Sequence, residues 1–186
     1  MKDEWAIVLD YLPRGHPMQP RSHPVAQVIG TENFNLLEVI PREGVILKSM
    51  DKVYIGEGKR DAVQSIIGKI PSNKLTATAH SELPYVLEKV VGEQEKKFVN
   101  FFNTADSITT KLHSFELLPG IGKKHMWAII DERKKKPFES FEDIKKRCPM
   151  LPDLKKSIAK RITDELGQEE KWYVFVAPPK EERGRY

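Results

Sequence analysis

The sequence predicts an α+β protein of two domains, a small β-barrel followed by an all-α region. Three observations carry that prediction: short β-branched and aromatic runs fill the first part, a three-four apolar period takes over after it, and positive charge gathers in the helical half. With 186 residues, 39% hydrophobic and 31% charged, the chain has enough apolar material for one domain or two small ones.

The runs WAIVLDYL (5–12), VAQVIG (25–30), FNLLEVI (34–40), GVILKS (44–49) and KVYIG (52–56) read as strands, separated by Pro, Gly and Asn. Five short strands in residues 1–75 suit a small, closed or nearly closed barrel of the OB type, an architecture that often holds single-stranded nucleic acid. GEGKR (56–60) lacks the spacing of a triphosphate-binding loop and reads as a turn with a solvated cation. RGHPMQPRSHP (14–24), with three prolines, reads as an extended solvent loop in which His16 and His23 have no metal-binding partners in the pattern.

From Arg60 the period changes. Val63, Ile66 and Ile67 fit a short helix, and Leu87, Val90, Val91, Gln94, Phe98, Phe101 and Phe102 fit a longer one within a connecting segment, 76–103. Lys96, Lys97 and Asn100 lie among those phenylalanines, a mixture also found on base-stacking surfaces, but the helical spacing assigns the rings to a core.

Residues 104–170 form the predicted helical domain, and its centre is FELLPGIGKK (115–124). Leu112, Phe115 and Leu118 make an apolar stripe on one helix; Met126, Ile129, Ile130 and Arg133 follow on a second, which ends in Lys134, Lys135 and Lys136 before Pro137. Pro119 stops the first helix, Gly120 and Gly122 supply positive φ and bare backbone, and Ile121 plugs the core between the helices. The free amides of Gly122, Lys123 and Lys124 then face outward with the positive end of the helix dipole, a socket for a phosphate oxygen. A structural αα-hairpin would use the same residue types.

Downstream, Ser140 and Asp143 fit a capping box, Asp153 an N-cap, Leu154, Ile158 and Ile162 one helix face, and Gly167 a stop. Two helices around 149–153 suggest a second hairpin without glycines, suited to packing rather than phosphate binding. KWYVFVA (171–177) reads as a closing strand, with a charged tail to residue 186.

Residues 111–163 hold 14 Lys and Arg against 7 Asp and Glu, although the whole chain carries only +4. Such a localised surplus suits a polyanionic partner, and a solvated helix face would produce it equally well. No apolar run is long enough for a membrane span, the N-terminal residues do not read as a signal peptide, and Cys148 is the single cysteine, so the expected compartment is the cytoplasm and no disulfide, metal site or cofactor is expected.

The LPGIGKK stretch resembles the helix-hairpin-helix motif, with the leucines, Pro119, both glycines, Ile121, Ile129 and Arg133 in register. Met126 departs from it, standing where that family has alanine, and its bulk would hold the helices apart. The resemblance implies sequence-independent binding of nucleic-acid backbone, DNA or RNA, by Gly120, Ile121, Gly122, Lys123 and Lys124, with Lys134, Lys135 and Lys136 adding charge. Across its length the chain resembles an uncharacterised archaeal family of nucleotide- or nucleic-acid-binding type that joins a small OB-like barrel to tandem helix-hairpin-helix motifs. DYLPRGHP, LLEVI, YIGEGKRD, FFNTADSIT, LLPGIGKK and PFESFEDI carry that resemblance.

The competing classes are an enzyme and a protein–protein adaptor. A glycosylase superfamily uses the same hairpin followed by a catalytic aspartate, and Asp143 lies near the matching distance, but SFEDIKK does not resemble that family's surrounding residues. No acid cluster suits two metals and no Ser/His/Asp set stands out, so a non-enzymatic binder is the expectation.

Overall fold

The structure, a computed structural model, describes residues 2–16 and 23–179. Residues 17–22 of the proline-rich loop and 180–186 of the charged tail lie outside the described residues. Two compact units divide the chain, residues 1–86 with 162–186, and residues 87–161.

The first unit contains a curled antiparallel sheet of five strands, β1 (Trp5–Leu12), β2 (Val25–Gly30), β3 (Leu36–Pro41), β4 (Lys52–Tyr54) and β5 (Val63–Lys69), in the order β4-β1-β2-β3-β5. The β4 and β5 edges are not paired with each other, so the sheet is a half-barrel rather than a closed one. Ala6, Val8, Ala26, Val28, Val39, Val53 and Val63 build its core, β-branched or small residues that pack well on a pleated surface. Asp3 is buried and satisfied: its carboxylate accepts the Glu32 and Asn33 amides and the Asn35 side chain. Buried Gln27 spans from Glu38 to Lys74 and Thr76, and Thr76 also reaches Asp10 at 2.6 Å, tying the start of α1 (Ala77–Glu93) to the sheet.

Two parts of this unit depart from the sequence prediction. GVILKS is not a strand. Gly44 (φ +78°) and Met50 (φ +72°) turn the chain at both ends, while Leu47 still enters the core and Ile46 faces solvent. Val63, Ile66 and Ile67 are not helical but lie in β5. The β3–β5 register pairs Ser65 with Ile40 and Val63 with Pro41, so a bulge between them turns the strand period of two into an apparent three-four period. His16, expected in solvent, is half-buried with Nε2 2.7 Å from a Glu38 carboxylate oxygen.

KWYVFVA also forms no strand. Its backbone donors go instead to one buried carboxylate: Glu165 accepts the amides of Val174, Phe175 and Val176 at 2.7–2.9 Å. A segment whose N–H groups are met by a side chain has no need of a ladder.

In the second unit the single long helix expected through 87–102 is broken at Gln94, where α1 ends and α2 (Glu95–Thr104) begins. A short hairpin follows, β6 (Ser107–Thr109) and β7 (Leu112–His113). The helix expected over Leu112–Leu118 is a single 3-10 turn, Ser114–Leu117. Of the predicted stripe only Phe115 lies in that turn; Leu112 lies in β7 and Leu118 follows the turn. Then come α3 (Lys123–Lys135), α4 (Phe141–Arg147) and α5 (Leu154–Leu166). Phe102 stacks on Phe115 with ring centroids 5.5 Å apart, and Leu118, Ile129 and Ile144 are also buried in this unit. Ser140 caps α4 by accepting the Asp143 amide, and Asp153 caps α5 by accepting that of Lys156. The reciprocal half of the predicted capping box is shifted by one residue: Asp143 accepts the Glu139 amide.

Candidate nucleic-acid interface

The turn before α3 is built by three local constraints. Gly120 has φ +85°, and a Cβ there would lie 3.1 Å from Pro152 Cγ, so both conformation and space call for glycine. The Pro119 carbonyl accepts from Ser157 Oγ at 2.9 Å, and the Gly120 carbonyl accepts from His125 Nδ1 at 2.9 Å. Ile121 is buried, as the sequence implies.

Gly122 differs from the prediction. Its φ is −92° and ψ −177°, extended backbone open to any residue, and a Cβ would meet nothing within 4 Å. It serves as the N-cap of α3, and its carbonyl accepts the Met126 amide at 2.9 Å. The amides of Gly122, Lys123 and Lys124 have no acceptor among the described residues, and all three residues are exposed. Lys123 and Lys124 have no carboxylate partner there either. The first turn of α3 contains no acid.

The opposite end of α3 is arranged differently. Lys134 lies 4.0 Å from Asp131, Lys135 pairs with Glu132, and Lys136 pairs with Glu139 at 2.7 Å. These lysines stand roughly 18–21 Å along the helix from Gly122 and are not brought to the turn. Arg133, in register with the family motif, points into protein: Nη1 donates to the Phe102 and Ala105 carbonyls at 3.2 and 2.8 Å. Arg147 does the same for α3, donating to the Glu132 and Lys136 carbonyls, and its guanidinium lies 4.4 Å from the Phe138 ring centre. Each arginine thus meets carbonyls at the end of a preceding helix, although the Glu132 carbonyl also accepts the Lys136 amide. Asp143 is committed too. The Glu139 amide, and then Arg147 at 3.2 Å, hold its carboxyl below the ordinary aspartate value, the reverse of what a proton-accepting catalytic aspartate needs.

Beside the turn lies a groove of about 400 Å³ between the β6–β7 hairpin and α3, which the sequence did not reveal. Lys123, Met126, Trp127 and Ile130 form its α3 wall at i, i+3, i+4 and i+7, a single helix face. Met126 therefore forms part of the wall of a groove, and its side chain is 6% exposed. Trp127 is 56% exposed. Across from them stand Thr109, Lys111 and His113. His113 Nδ1 accepts the Phe115 amide at 3.1 Å, which places the ring proton on Nε2. Burial first, then Arg133, pulls the His113 pKa below its ordinary value, in keeping with a neutral ring.

Residues 2–177 match the model of a family described as a protein of unknown function, DUF655. The chain belongs to this family. It is 47% identical over 176 residues to the uncharacterized protein MJ0038 of Methanocaldococcus jannaschii, an alignment covering 94% of this chain and 80% of that protein. The crystal structure of Af1531 from Archaeoglobus fulgidus superposes with a TM-score of 0.88 at 49% identity, covering 94% of this chain and all of that one. The chain thus shares its fold with an archaeal relative. No helix among the described residues is long and apolar enough to cross a membrane.

Proposed function

We propose that this DUF655 protein is a non-enzymatic, cytoplasmic nucleic-acid-binding protein that holds the phosphate backbone at the N-terminus of α3, largely without regard to sequence. In this reading residues 114–135 are a helix-hairpin-helix motif with a shortened first arm, α4 and α5 are a second hairpin used for packing, and the curled sheet is an OB-like scaffold. One observation carries it. Lys123 and Lys124 sit, unpaired among the described residues, where the helix dipole disfavours cations, and the α3 amides beside them have no acceptor there. That placement costs the fold some stability in the absence of an anion and becomes favourable when a phosphate oxygen is bound by the amides and neutralised by the lysines.

The test is the double variant Lys123→Glu/Lys124→Glu, measured against DNA and RNA oligonucleotides over a salt series. If three to five phosphates are contacted, the log–log salt slope of the natural protein should be about −2 to −5. An intact fold with unchanged affinity for every oligonucleotide would make the turn structural and favour a protein partner instead.

A further inference from the structure

The groove beside the turn has the chemistry of a nucleotide subsite, and we propose that it takes an unpaired nucleobase of a single strand whose adjacent phosphate lies at the start of α3. This inference rests on the phosphate-binding reading and adds the class of nucleic acid to it. Four features converge on it. Trp127, 56% exposed and without an aromatic partner among the described residues, offers a ring face to a base. Leu112, Met126 and Ile130 give the same groove apolar walls, which suit a flat heterocycle.

The polar groups fit a nucleotide as well. His113 is 94% withdrawn from solvent, being 6% exposed, and lines the groove. Its Nδ1 is occupied by the Phe115 amide, so Nε2–H is left as a donor with no partner among the described residues. A base carbonyl or a phosphate oxygen accepts from such a group. Lys111 and Lys123 stand on opposite walls without carboxylate partners among the described residues, while Glu116, the one acid lining the groove, is bound to the His113 amide at 2.9 Å. The local charge therefore favours an anionic ligand. A base paired in a duplex cannot stack on Trp127, so the groove selects single strands or an extruded nucleotide.

The experiment uses the full chain with oligodeoxythymidylate, oligouridylate and a duplex of matched length. Trp127→Ala should weaken binding to the single strands about fivefold or more, from the loss of one base–aromatic stack, and leave duplex affinity within about twofold. Trp127→Phe should restore most of the loss. In a Trp5→Phe/Trp172→Phe background, titration with the single strands should quench the emission of Trp127. Unchanged single-strand affinity in Trp127→Ala, or an equal loss for duplex, overturns the inference. The charge-reversal variant run alongside separates the two readings. If it loses affinity while Trp127→Ala does not, only the groove assignment falls and a polypeptide becomes the better occupant; if the natural protein binds no oligonucleotide at about 100 μM, both fall.

Discussion

The two ends of α3 carry similar numbers of cations and use them in opposite ways. At the C-terminal end Arg133, Lys134 and Lys135 lie where the helix dipole favours them, and every one has an internal partner. At the N-terminal end Lys123 and Lys124 lie where the dipole disfavours them, and neither is paired among the described residues. The first arrangement stabilises the fold; the second does not, and the proposed phosphate ligand would account for it. A count of basic residues therefore overstates the surface open to a polyanion, because partners and dipole decide which charges are available.

The sharpest way to break this contrast is to remove a cation from each end. Arg147→Ala, which removes the α4 guanidinium from the Glu132 and Lys136 carbonyls at the end of α3, should cost about 2–3 kcal/mol of stability in chemical denaturation. Oligonucleotide affinity of the folded variant should be nearly unchanged. Lys123→Glu/Lys124→Glu should reverse that pattern: affinity falls at least about tenfold at low salt, near 1.4 kcal/mol, while the melting temperature holds or rises because acids suit a helix N-terminus. A melting point that drops with the affinity would show that these lysines also serve the fold.

The glycines sharpen the comparison within the turn itself. Gly120→Ala should lose about 1 kcal/mol or more, since φ is +85° and Pro152 crowds the new methyl, whereas Gly122→Ala should stay within about 1 kcal/mol, the usual cost of replacing a glycine N-cap by alanine. Equal losses in urea melts would mean that Gly122 is also constrained.

A smaller effect should appear with pH. The His113 pKa is lower in the folded state than its ordinary 6.5, so its contribution to stability is complete above that value and is lost as pH falls toward the folded pKa. The denaturation midpoint of the natural protein should fall as pH is lowered below about 6.5, and more steeply than that of His113→Asn, which keeps an acceptor for the Phe115 amide but does not titrate. Parallel profiles would remove His113 from the acid sensitivity. The smallest change belongs to Lys134→Ala/Lys135→Ala: exposed helix pairs contribute about 0.3–0.5 kcal/mol, and affinity should move less than about twofold if these lysines lie away from the phosphates.

Several features of this architecture were legible along the chain because they depend on neighbours in sequence. β1 and β2 were found to the residue, since alternating β-branched runs between turn formers leave little other choice. The Ser140 and Asp153 caps, the buried Ile121 and the positive φ of Gly120 were legible for the same reason. β5 was not, because a bulge set by pairing with β3 disguised its period. The groove was not legible either. Nothing within the sequence of α3 indicates that the β6–β7 hairpin stands opposite it.

Local chemistry thus settled in advance the turn at Gly120, the Ser140 and Asp153 caps and that an α3 dipole would meet two lysines. Tertiary structure alone decided which of the basic residues remain available, since Arg133 and Arg147 are drawn inward by carbonyls 28 to 31 and 11 to 15 residues away. It also decided that residues 171–177 fold without a strand, because buried Glu165 supplies acceptors to three of their amides. The physical reason is common to both cases. Hydrogen-bond demand is written into each residue, but the group that meets it is chosen by which segments packing brings together.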